Sequence, residues 1–128
     1  MNLKVYNREN FGSVNLAADP RIYFQHNGPI RISIKAASIL NLKPGDKVEV
    51  CQDADRPKDW YIFKTKNAAG FNLGNDGQKG ALKFFCKRLV IDFLTSINAE
   101  KSSSFRIANV PIDHEGIKIY AILKSTMK

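Results

Sequence analysis

Acid is what this sequence is short of. Twelve Asp and Glu face twenty Lys and Arg over 128 residues, a formal net charge of +8 with histidine neutral. An excess of that size attracts polyanions over about 10 Å at ordinary ionic strength, which puts nucleic acid or an anionic membrane surface first among partners. Cysteine is scarce as well. Cys51 and Cys86 stand far apart, too few for a disulfide framework, and read as free thiols of a reducing compartment. With His26 and His114 they form the set of soft metal ligands, and no Cys-x-x-Cys or similar spacing pairs any of them. No metal and no other cofactor is expected. Long apolar runs are missing too. No window approaches a membrane span, and MNLKVYNREN has no leader-type apolar core, so the expectation is a cytoplasmic protein without a membrane role.

Catalytic patterns are equally thin. The segment GNDGQKG lacks the Gly-Lys-Ser/Thr that a phosphate loop needs. The carboxylate pairs Asp53/Asp55 and Asp113/Glu115 fall in polar turns, where they read as solvated groups rather than an acid and a base. Nothing assembles a nucleophile, a base and an oxyanion site. The sequence does not read as an enzyme, and no small-molecule substrate suggests itself.

What is present is β-pattern. Ile30, Ile32 and Ile34 alternate with Arg31 and Ser33, the period of a half-buried strand. Ser33 is placed to cap a short helix over about 34–41, in which Ala36, Ile39 and Leu40 share one face. Asn41 suits the left-handed residue that ends it. Lys43-Pro44-Gly45-Asp46 has the form of a type II turn, and Val48 and Val50 resume the alternation. Upstream, LKVYN and RIYFQH read as leading strands. Downstream, CQDADRPKDW reads as a long polar loop before a strand in which Trp60, Ile62 and Lys64 alternate with Tyr61, Phe63 and Thr65. GFNLG reads as a short strand and GNDGQKG as a flexible loop. A longer amphipathic helix is expected over about 83–97, with Phe85, Leu89, Phe93 and Ile97 along its apolar stripe. SFRIANVPI, a DHEG turn and IKIYAILK form a C-terminal β-hairpin. The expected fold is α+β, a β-rich antiparallel sheet with these two helices, in a single domain over 1–128, the hairpin 104–124 being the one segment that reads as an appendage. No internal repeat is visible.

Residues 30–50, IRISIKAASILNLKPGDKVEV, resemble the AbrB-type swapped-hairpin module of bacterial transition-state regulators and antitoxins. Ile32, Leu40, Leu42, Lys43, Pro44, Gly45, Asp46 and Val48 match its pattern; Ser33 stands for the usual Pro and Asn41 for the usual Gly. The resemblance implies a homodimer that interleaves hairpins from two chains and binds DNA through basic residues. Pro29, Ala37 and Ser38 occupy places where such proteins often carry arginines, which leaves Arg31, Lys35, Lys43 and Lys47 as candidates.

A second stretch, QKGALKFFCKRLVIDFL, is similar to the end of the transcriptional-coactivator and Whirly-type single-stranded DNA-binding fold, through Lys79, Gly80, Leu82 and the helix spacing. That similarity implies a sheet whose lysines follow phosphates while aromatic faces stack bases. Between Tyr61 and Val90 stand Lys64, Lys66, Lys79, Lys83, Lys87 and Arg88 against Asp76 alone, with Trp60, Tyr61, Phe63 and Phe71 among them. The reading that results is a non-enzymatic, dimeric DNA-binding protein, with Trp60, Tyr61, Lys64, Lys66, Lys79 and Lys83 added to the candidates. Its rival is a structural or protein-interaction subunit that uses the hairpin module as a dimer seam.

Overall fold

A computed structural model of the chain describes residues 20–99 and 101–123, with the side chains of Gln78 and Lys79 outside the description. The expected leading strand in LKVYN falls outside the described residues. RIYF forms β1 (Arg21–Phe24), with Ile22 and Phe24 fully buried. A turn closed by Gly28, at φ 124°, returns the chain into β2 (Pro29–Ile32). The short helix α1 (Ile34–Leu40) follows. Its cap is the expected one: the Ala36 N–H donates to Ser33 Oγ at 3.2 Å, and Asn41 ends the helix at φ 57°, ψ 50°. Gly45, at φ 93°, makes the turn into β3 (Lys47–Asp53).

Three stretches differ from expectation. CQDADRPKDW is no long loop, because β3 runs on to Asp53 and β4 (Arg56–Thr65) starts after only two intervening residues, the register slipping between Gln52 and Asp53. GNDGQKG is likewise a tight hairpin, with β6 (Gly74–Asp76) turning at Gly77 into β7 (Gln78–Phe85), just after the short β5 (Phe71–Asn72). The second helix, α2 (Lys87–Ser96), starts later than expected. Residues 83–85 belong to β7, where Leu82 and Phe84 face inward and Lys83 and Phe85 outward, a period of two that outcompetes the helical spacing. Then come β8 (Ser103–Ile107), β9 (Ile112–His114) and β10 (Ile117–Leu123). The C-terminal strands are not an appendage, since β10 lies between β4 and β8, and β8 between β10 and β1.

The antiparallel sheet runs β5-β3-β4-β10-β8-β1-β2-β7-β6, with β9 on β10, and is nearly closed into a barrel. Its two edge strands, β5 and β6, are separated by Leu73 alone, so the chain itself bridges the seam. The Leu73 backbone docks on the Pro-Gly-Asp turn: its N–H donates to the Asp46 carbonyl and its carbonyl accepts from the Gly45 N–H, each at 2.9 Å. Phe71 stacks on Phe84 across the same seam, ring centroids 4.9 Å apart. Inside is one core. α1 contributes Ala36, Ala37 and Leu40, and α2 contributes Val90, Phe93 and Leu94. Phe93 lies between Phe24, at 4.1 Å, Phe105 at 5.1 Å and Trp60 at 5.3 Å.

The strand order contains a repeat that the sequence hides. The unit β1-β2-α1-β3-β4 is matched by β6-β7-α2-β8-β10. The hairpin β1–β2 corresponds to β6–β7, the pair β3–β4 to β8–β10, and β1–β8 to β5–β3, with β5 and β6 together taking the place of β1, while β2–β7 and β4–β10 join the two units. Gly28-Pro29-Ile30-Arg31-Ile32 of one unit answers to Gly80-Ala81-Leu82-Lys83-Phe84 of the other, both glycines at positive φ. The apolar face of the segment 28–50 is therefore covered by the second half of the same chain. Completing this core requires no second copy.

Candidate nucleic-acid interface

Strand alternation decides which side chains leave the barrel. In β1, β2, β7 and β8 the residues Ile22, Phe24, Ile30, Ile32, Leu82, Phe84, Phe105 and Ile107 point into the core, so their neighbours stand outside. Register then lines these neighbours up. Lys83 pairs with Arg31, Arg31 with Tyr23, and Tyr23 with Ser104, a row across four strands of about 14 Å. Two residues along, Arg21 of β1 pairs with Arg106 of β8. The related positions Arg31 and Lys83 of the two repeats thus meet directly across the β2–β7 ladder.

This face carries four cations and one described carboxylate. Arg31 is held in place, its Nε donating to Gln25 Oε1 at 2.9 Å and its Nη1 to Asp76 Oδ1 at 3.1 Å. Arg21 Nη1 donates to Ser104 Oγ at 3.1 Å. Lys83 and Arg106 are exposed and form no ion pair among the described residues. At one end of the face Phe85, across from Pro29, is 65% exposed. Its ring lies over Gly28, where a Cβ would sit 2.4 Å from the ring carbons, so a glycine is what gives the ring its seat.

The candidates named from sequence do not all gather here. Arg31 and Lys83 do. Lys79 lies in β7 with its side chain outside the description. Lys64 sits five places round the sheet from β7, on β4, its Nζ donating to the Asn41 carbonyl at 3.0 Å and lying 3.5 Å from Asp46. It ties the end of α1 to the turn before β3. Lys66 is exposed just after β4, Lys35 on α1, and Lys43 in the turn, where its N–H donates to Asp46. Lys47 stands on β3 opposite Thr65. On α2, Arg88 pairs with Asp92 at 3.4 Å. The charge concentrated between residues 60 and 90 of the sequence is therefore dispersed over the surface. Trp60 is no stacking platform: it is buried against Phe93, and its Nε1 donates to Ser96 Oγ at 2.8 Å. Tyr61 is half-buried on the outer face of β4, between Cys51 and Ala121.

Arg21, Tyr23, Phe85, Ser104 and Arg106 were not among the candidates. Alternation in RIYF and SFRI marks Arg21, Tyr23, Ser104 and Arg106 as outward, and pairings between distant strands bring them together. Next to the cationic face, from β10 onward, the outer face is apolar, with Leu123 pairing with Arg106 at the boundary. Ile117, Ile119, Ala121 and Leu123 of β10 stand beside Ile112 of β9, and the row continues to Phe63 and Tyr61 of β4. Ile112 and Ile117 remain 49% and 45% exposed. His26, His114, Cys51 and Cys86 fall at separate places, and no group of three or more metal-ligating side chains converges among the described residues. No described helix is long and apolar enough to cross a membrane. Three comparisons with known proteins, by family model, by sequence and by structure, return no significant match.

Proposed function

We propose that the protein is a cytoplasmic, non-catalytic nucleic-acid-binding protein that holds phosphates on the outer face of β7, β2, β1 and β8. The observation that carries this reading is the meeting of Lys83, Arg31, Arg21 and Arg106 on one face of a chain with net charge +8. Affinity comes mainly from phosphate neutralisation, with little reading of sequence. The two family resemblances point to the same polymer, DNA, and to a regulatory use of it. A gel-shift titration at several salt concentrations tests the reading. Log K is expected to fall with log salt by roughly 0.9 per phosphate contacted on duplex and 0.7 on single strands. Joint change of Lys83 and Arg106 to Glu is expected to weaken binding and flatten the slope, while Lys64→Glu, which breaks the tie to Asp46 and Asn41, lowers stability instead. Salt-independent binding would overturn the reading.

The rival, a structural subunit, is favoured by one observation, the apolar outer face of β9, β10 and β4. In that reading the face joins two copies of the chain. A two-chain mass in solution, returned to one by Ile112→Lys with Ile117→Lys, together with indifference to nucleic acid, would establish it.

A further inference from the structure

We infer that the strand held on this face is single, and that Phe85 and Tyr23 stack its bases. The inference rests on the nucleic-acid reading above and adds the class of ligand. Rings and cations alternate along one diagonal of the sheet: Phe85, then Lys83 and Arg31, then Tyr23, then Arg21 and Arg106. The track is roughly 20 Å long from strand spacing and rise, the scale of a few nucleotides. The barrel's core does not account for Phe85. It is 65% exposed, it lies outside the core, and its seat depends on a glycine at φ 124°.

A phenyl ring left in water forgoes the burial that would stabilise the fold, and one beside a cation pair is placed for an aromatic surface that arrives with phosphates. A duplex does not offer one. Its base faces are already stacked on each other, so only its phosphates and base edges are open to a protein. A single strand presents both phosphates and free base faces. Every base has such a face, so the track tolerates any sequence.

The test is fluorescence anisotropy of the full chain with a labelled oligothymidylate of about 12 nucleotides and with a duplex of the same length, at about 50 and 200 mM salt. The single strand is expected to bind more tightly. Phe85→Leu, which keeps apolar bulk over Gly28 but removes the ring, is expected to weaken single-strand binding by about tenfold and leave duplex binding unchanged. Tyr23→Leu is expected to do the same, and Lys83→Glu to weaken both. Circular dichroism and a urea midpoint confirm that each variant is folded. Equal affinity for duplex, or loss of binding in Lys83→Glu with none in Phe85→Leu and Tyr23→Leu, overturns the single-strand inference and leaves the phosphate-binding face standing. Failure to bind either probe overturns the function itself.

Discussion

Cys51 stands on the outer face of β3, opposite Tyr61 and two residues from Glu49. Burial pushes its thiol pKa up, and the neighbouring Glu49 carboxylate pushes the same way. Both effects disfavour the thiolate, the reactive form. Alkylation of Cys51 by iodoacetamide at mildly alkaline pH is therefore expected to be slower than that of an unfolded peptide thiol. Glu49→Gln is expected to speed it, read by mass spectrometry of the labelled peptide. The sign for stability follows. A folded-state pKa above the unfolded one favours folding fully below the unfolded value, and that contribution is lost as pH rises through the folded one. Cys51→Ser is expected to remove this part of the alkaline loss, seen as a flatter dependence of urea midpoint on pH. A thiol that alkylates at the peptide rate would contradict this.

At the scale of elements, the most local signals were the most legible. Ser33 caps α1 and also accepts from the Arg21 N–H at 2.9 Å, so one hydroxyl holds both the helix and the start of β1. Ser33→Ala is expected to cost about 1–2 kcal/mol, measured by urea denaturation; an unchanged midpoint would show the cap to be idle. Asn41 and Gly45 were readable for the same reason, since each conformation is dictated by its own residue type. The start of α2 was not. Phe85 fits a helical stripe with Leu89 and Phe93, yet it also fits an alternating strand with Lys83. Only the β2–β7 ladder, which pairs residues fifty or more positions apart, decides between them. The Asp53–Arg56 and Asp76–Gln78 turns look like longer loops in the sequence because Gly, Pro and Asp mark a change of direction without saying how sharp it is. Of the candidate site, Arg31 and Lys83 were visible as basic residues on strands. Their meeting with Arg21, Tyr23 and Arg106 depends on the sheet order, which no local pattern carries. The repeat stayed hidden because GPIRI and GALKF share only glycine letter for letter, while their apolar and basic positions agree in kind.

The whole molecule is a barrel of two like halves with unlike outer faces. Where β2 meets β7 the exterior is cationic; where β4 meets β10 it is apolar. The halves are tied through the exposed turn at Asn67–Gly70, in which the Gly70 N–H donates to the Asn67 carbonyl at 2.9 Å. This arrangement has a consequence for protein engineering. Severing the backbone between Asn67 and Ala68 leaves every ladder intact, so the two pieces, produced separately and mixed, are expected to reconstitute the parent circular dichroism spectrum. Without the tether, which holds the halves at an effective concentration in the millimolar range, the melting temperature becomes dependent on protein concentration. Pieces that remain apart when mixed would show that the turn directs folding as well as joining the halves. Pieces that reassemble would let each half be isotopically labelled or mutated by itself.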